Sequence, residues 1–193
     1  MTRTVLRSTL GLGVFALPAL ALAHAGSDGG GHPGFAAGFT HPFTGIDHLL
    51  AMLLIGLWSA TLLRRAWVAP LAFVAALLAG ALLAAAGLRL PAVEPLIALS
   101  LVLLGALLAA RTAWPVAAMA AVAALFALFH GAAHGAELQG LSALAGMVLA
   151  TALLHAIGLL AGHALQRHSV WWPRTAGIAA SLAGAVLLFA AAW

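Results

Sequence analysis

Cysteine and lysine are both missing from this chain of 193 residues. Without cysteine there are no disulfides and no thiolate metal ligands. Without lysine there is no Walker-type phosphate loop and no Schiff-base chemistry. Charge of any kind is scarce: 6% of the residues are charged, against 65% apolar. A water-soluble domain of this size could not cover its surface with so few charges, so the chain is read as an integral membrane protein. Every positive charge is an arginine, and the formal net charge of +4 is read through membrane topology, not through nucleic-acid binding.

Residues 1–23 have the pattern of a secretory signal peptide. Arg3 and Arg7 make a positive start, Thr9 to Leu22 an apolar stretch, and Ala21-Leu22-Ala23 a small-x-small cleavage site. The competing reading is an uncleaved first transmembrane helix, but the apolar stretch is short and Gly11, Gly13 and Pro18 interrupt it. Residues 24–40 are glycine-rich and carry His24, Asp28 and His32. They are expected to form a mobile extracytoplasmic tail, either a loose capture segment for metal or simply a solvated linker.

Residues 41–193 hold six apolar runs, near Asp47–Leu63, Ala66–Ala86, Pro95–Ala110, Pro115–Phe129, Leu141–Leu165 and Thr175–Ala192. At ~1.5 Å per residue, each is close to the ~30 Å of hydrocarbon that a helix must cross, although the third and fourth are short. Backbone groups in lipid must be satisfied within the segment, and no run alternates like a strand, so helices are expected. The expected fold is all-α: an integral membrane bundle of about six transmembrane helices after a cleaved signal peptide. If residue 24 lies outside, Arg64, Arg65, Arg111, Arg167 and Arg174 fall inside and Arg89 outside, as the positive-inside rule asks. Trp67, Trp114, Trp171 and Trp172 would then form an inner aromatic belt. Gly80, Gly105, Gly131, Gly135, Gly146, Gly158, Gly162 and Gly184 recur through the runs and allow close helix–helix approach.

Two clusters stand out against this apolar background. His41-Pro-Phe-Thr-Gly-Ile-Asp47-His48 precedes the first run, and His130-Gly-Ala-Ala-His134-Gly-Ala-Glu137 follows the fourth. The topology puts both on the outer side, at one membrane depth, where they can share a site. His130, His134 and Glu137 are spaced i, i+4, i+7, which puts them within roughly 60° of one helix face. That requires the fourth helix to continue past Phe129, which Gly131 and Gly135 put in question; otherwise these are polar residues of a loop. In the first cluster, Thr44 to Asp47 fits a capping box, with Thr44 as N-cap, and Pro42 fits an entry turn. Capping leaves His41 and His48 unexplained. Asp47 is either a ligand or the group that orients a ligating imidazole, and Met52 is a soft neighbour or packing. Imidazole and carboxylate without thiolate suit Ni²⁺, Co²⁺, Zn²⁺ or Cu²⁺ and suit Mg²⁺ or Ca²⁺ poorly.

His155 lies ~20 Å along the fifth run, past the bilayer midplane, where ionisable groups tend to mark pathways. It is read as a relay between the outer cluster and the cytoplasm, with His163 near the exit. The competing reading is a neutral histidine bonded to a neighbouring carbonyl. Glu94, ahead of Pro95, is most simply an acid favoured by a helix N-terminus, or else a charge added to the outer vestibule.

The run from His41 to Met52 (HPFTGIDHLLAM) resembles the signature of the HupE/UreJ family, and Phe129 to Glu137 (FHGAAHGAE) its second signature. Ala132 stands where this family often has an aromatic residue; the departure leaves the ligand candidates intact. The resemblance implies a small bacterial inner-membrane permease for nickel or cobalt, with a signal peptide and an indirect link to hydrogenase or urease maturation. It singles out His41, Asp47, His48, His130, His134 and Glu137. The function expected is secondary uptake of a divalent ion, nickel first and cobalt next, with Zn²⁺ also fitting, no prosthetic group, no nucleic-acid partner, and room for a homo-oligomer in the bilayer. The alternatives are a membrane-embedded zinc hydrolase, with Glu137 or Asp47 as base, and an outward-facing metal-binding protein without flux.

Overall fold

The computed structural model describes residues 32–62 and 64–191. The expected signal peptide, and His24 and Asp28 of the tail, lie outside the described residues. Seven helices follow in order: α1 (Phe35–Thr44), α2 (Ile46–Leu62), α3 (Val68–Ala85), α4 (Val93–Ala110), α5 (Val116–Glu137), α6 (Leu141–His168) and α7 (Trp171–Ala191). A two-residue parallel pairing joins β1 (His32–Pro33) to β2 (Leu138–Gln139). It ties the entry of α1 to the α5–α6 turn.

Five helices, α3 to α7, are long and apolar enough to cross a membrane, and α1 with α2 form a pair bent by 85° that adds up to one more. The protein is a multi-pass membrane protein. Its polarity is arranged for an apolar solvent: Leu71, Leu125, Leu160, Leu182 and Val186 are more than half exposed. His48, Ser59, Ser100, His130, His134, Thr151 and His155 are buried.

Three expectations about the first segment need correction. Residues 35–40 are not tail; they are the first half of α1, and Gly38 and Gly146 bring α1 against the start of α6 at Ala143 and Phe35. Pro42 is not in an entry turn but inside α1, whose ladder it weakens, and the helix ends two residues later. Thr44 is not the N-cap of α2. Its hydroxyl turns back to the carbonyl of His41 at 2.7 Å, closing α1. The chain breaks at Gly45, in extended conformation, and Asp47 serves the first turn of α2 by accepting the His48 N–H at 2.8 Å.

Elsewhere the runs and helices agree closely, with one exception. The fourth run is apolar only to Phe129, and α5 continues to Glu137, as the shared face of His130, His134 and Glu137 requires. Gly131 and Gly135 do not break it because both face α3. A Cβ on either would collide with the carbonyl oxygen of Leu77 or Ala81, and one on Gly80 with that of Leu128. These glycines let two backbones touch, which is how helices associate when lipid removes the hydrophobic drive between them. Gly56 and Gly158 do the same for α2 and α6, and Gly105, Gly177 and Gly184 for α4 and α7. The paired positions advance together in α3/α5 and α2/α6 and oppositely in α4/α7. Those are the senses that alternating spans require when the bent pair counts as the first.

The ends of the bundle differ. Arg64, Arg65, Arg111, Arg167 and Arg174, with the exposed Trp67, Trp114, Trp171 and Trp172, gather at one end, and both histidine clusters at the other.

Gly80→Ala is expected to destabilise the protein by roughly 1–3 kcal/mol through overpacking of α3 on α5. Ala75→Leu, on the exposed face of the same helix, should change little. Thermal unfolding in detergent checks both, and a Gly80→Ala protein as heat-stable as wild type would contradict the close α3–α5 contact.

Candidate functional site

Two turns of chain and one helix end make the site. The last turn of α1 carries His41, the first turn of α2 carries Asp47 and His48, and the last two turns of α5 carry His130, His134 and Glu137. Because α5 is unbroken, the i, i+4, i+7 spacing does place its three side chains on one face. The rings interleave. His134 lies 4.7 Å from His41 and 4.3 Å from His48 between ring centroids, and His48 lies 4.8 Å from His130. The structure thus brings the two sequence clusters together.

Within the cluster, His41, His134 and Glu137 each offer one ligand atom, all within 4.8 Å of one another. His41 Nε2 and Glu137 Oε2 are 3.1 Å apart. Two imidazole nitrogens and a carboxylate oxygen so placed can close around one ion of the imidazole-favouring class. His130 lies one turn nearer the arginine-rich end than His134 and, with the buried His48, forms an inner tier that shares His134.

The inner tier has its tautomers set from outside. Asp47 Oδ1 accepts from His48 Nδ1 at 2.9 Å, as well as from the His48 backbone N–H. Nδ1 therefore carries the proton and Nε2 the lone pair. This is the orienting role weighed for Asp47, and the arrangement of carboxylate, histidine and ion is a common one. Ser100, in the middle of α4, does the same for His130. Its hydroxyl has one proton, and that proton goes to the Ile97 carbonyl at 2.6 Å, which can only accept. The contact of 3.1 Å between Ser100 Oγ and His130 Nε2 must then be donated by the histidine. His130 is left with its lone pair on Nδ1, which has no hydrogen-bond partner among the described residues.

A cavity of about 580 Å³ opens onto the cluster, lined among others by Asp47, His48, Arg89, Glu94, Ala132 and Glu137. Three carboxylates face one guanidinium across it, so it favours cations. Glu94 sits in the first turn of α4, as expected of a helix-favoured acid, and lines this cavity as well. The two readings of Glu94 are compatible.

Other candidates fall elsewhere. Met52 is fully buried in the apolar core. His155 is buried but is not in the cluster; its ring stacks edge-on against Phe73 at 5.0 Å, and Phe73 reaches His130 at 5.7 Å. The competing idea of a carbonyl-bonded His155 is not what the structure has, since neither ring nitrogen has a partner among the described residues. His163 is exposed and accepts from Gln166 Nε2 at 3.2 Å, toward the arginine-rich end. The backbone of His32 is paired with Leu138, beside the cluster end of α5. Ser100 and Phe73 escaped sequence reasoning. A serine and a phenylalanine inside apolar runs carry no signal of what they face; only helix packing assigns them.

The tautomers can be read directly. In ¹⁵N spectra of the full-length protein, His48 should be protonated at Nδ1 and His130 at Nε2. Ser100→Ala should release the His130 preference alone, and Asp47→Ala the His48 preference alone. A His130 protonated at Nδ1 in wild type would refute the Ser100 assignment.

Comparison with known proteins agrees with the two sequence signatures. The family model described as "HupE / UreJ protein" matches residues 12–187. A curated relative, "Protein HupE" of Rhizobium leguminosarum bv. viciae, is 41% identical over 186 residues, which cover 93% of this chain and 96% of that protein. No solved structure matches. With a family model spanning most of its length and a full-length relative at this identity, the chain belongs to the HupE/UreJ family.

Proposed function

We propose that the protein is a secondary uptake permease for a divalent transition-metal ion, nickel first and cobalt next, and not an enzyme. The observation that carries this reading is the convergence of His41, His48, His130 and His134 with Glu137 at one end of a membrane bundle. Four imidazoles without a thiol form a donor set for borderline ions. The acidic cavity leads a cation to them. Membership of the HupE/UreJ family agrees, because that resemblance implies nickel or cobalt handling for hydrogenase or urease maturation.

Orientation belongs to the proposal. The cluster end faces the outside of a bacterial inner membrane, residues 1–23 act as a cleaved leader, and the arginine-rich end faces the cytoplasm. An inside-negative potential then draws a divalent cation inward, with ~4.6 kcal/mol per 100 mV for two charges. The ion gives up water at the outer tier, His41, His134 and Glu137, and passes to His48 and His130. Asp47 acts through His48 by holding its ring.

Radiolabelled nickel accumulation in cells tests this. At equal membrane abundance, His130→Ala/His134→Ala should fall by roughly tenfold or more, toward background. Excess unlabelled cobalt should compete in the wild type. A folded wild-type protein that accumulates no nickel, yet keeps one metal tightly through purification, would overturn the permease reading in favour of a zinc enzyme.

A further inference from the structure

One set of buried polar atoms has no part in the cluster. His155 on α6 is 2% exposed, and Thr151, one turn earlier on the same face, is fully buried. Among the described residues, neither ring nitrogen of His155 nor the hydroxyl of Thr151 has a hydrogen-bond partner. Thr40, Thr44, Thr61 and Thr175 each return the hydroxyl to a carbonyl three or four residues earlier. That is the usual way for a helical threonine to be satisfied. Thr151 does not do so. A histidine kept for packing would likewise donate one N–H to a carbonyl.

The neighbourhood gives these atoms a place in the bundle. Phe73 of α3 is fully buried and touches both His155 and His130, so His155 stands one aromatic ring away from the inner tier of the cluster. Gly56 of α2 packs on the backbone carbonyl of His155. Two and three residues beyond Gly56, Trp58 Nε1 and Ser59 Oγ are also buried and without partners among the described residues. Unmet hydrogen-bonding atoms thus recur along α6 and the α2 stretch packed against it. Side chains so buried, His155 and Thr151 above all, need an occupant that the folded chain does not itself supply.

We propose that His155 and Thr151 form an inner cation station, which receives a divalent transition-metal ion from His130 past the ring of Phe73. The inference rests on the uptake reading and deepens it. One imidazole nitrogen and one hydroxyl oxygen are neutral ligands, and water completes the coordination. Two neutral ligands hold an ion weakly, as an intermediate site must if the ion is to leave it. The imidazole favours borderline ions over Mg²⁺ or Ca²⁺. Phe73, apolar and fully buried, keeps the two stations from merging into one tight site.

The test uses the full chain in liposomes, with nickel outside, and three readings for wild type, His155→Ala and Thr151→Val. These are the uptake rate at saturating nickel, equilibrium nickel binding in detergent, and thermal unfolding. Both variants should lose roughly tenfold in saturated rate while binding nickel at the cluster as wild type does. Thr151→Val should unfold at the same temperature or higher, because it exchanges a hydroxyl without a partner for a methyl group. Slower transport from a protein at least as stable is not what a packing role produces. If His155→Ala does not fold, Thr151→Val decides alone. Wild-type saturated rates in the folded variants, the result expected if only water meets His155 and Thr151, would overturn the inner station and leave the uptake reading standing. A wild-type protein that binds nickel but moves none overturns both.

Discussion

Helix α5 meets α3 where Gly80, Gly131 and Gly135 leave backbone against backbone, and that contact decides where His130 and His134 point. The histidines alternate with these glycines along one stretch of helix. Whatever rolls α5 about its axis moves the ligands off the cluster and drives the glycine face out of its groove. In lipid such a contact rests on packing and has no hydrophobic drive to fall back on, so a Cβ in the wrong place has no cheap remedy. The same logic holds at the other side of the site. Gly38 and Gly146 seat α1 on α6, and the bend at Gly45 then delivers His41 from one helix and His48 from the next. Fold and site are one arrangement.

Positioning the rings is not enough, because an imidazole binds a cation only through the nitrogen that carries no proton. Two residues outside the ring cluster settle this, Asp47 for His48 and Ser100 for His130, and they settle it in opposite senses: Nδ1–H in the first, Nε2–H in the second. Ser100 can do so because its own proton is already committed to the Ile97 carbonyl. A serine is often a passive back-bonder in a membrane helix. Here the back-bond turns the hydroxyl into an acceptor of fixed direction.

Much of this was legible in the residues. Scarce charge and long apolar runs sufficed for a helical membrane bundle, and the arginine pattern placed both clusters at one end. What misled was local pattern. Thr44 to Asp47 reads as a capping box, yet Thr44 bonds backward because Pro42 had already begun to end α1. Gly131 and Gly135 read as a threat to α5 in isolation, and they are the reason it can continue against α3. Residues 35–40 look like tail by composition, since nothing in them announces that α6 will cover them. Ser100 and Phe73 were beyond reach for the same reason: their roles exist only through helices far away in sequence.

The order of charges along the cavity and cluster bears on why such a site can release what it captures. Carboxylates lie at the open side, with Asp47, Glu94 and Glu137 lining the cavity, and the guanidinium of Arg89 among them. Farther in, the atoms offered to the ion are imidazole nitrogens and a hydroxyl, and Asp47 reaches that tier only through the proton on His48 Nδ1. A cation is therefore drawn in by formal charge where water still screens the interaction, and is held by neutral donors where it does not. The reverse order would put a divalent ion beside a buried carboxylate in a medium of low dielectric, where the attraction is strongest and exit slowest. Glu94 and Glu137 line the cavity, and Asp47 is engaged by both N–H groups of His48, an arrangement that limits the depth of the well and leaves selection to the nitrogens.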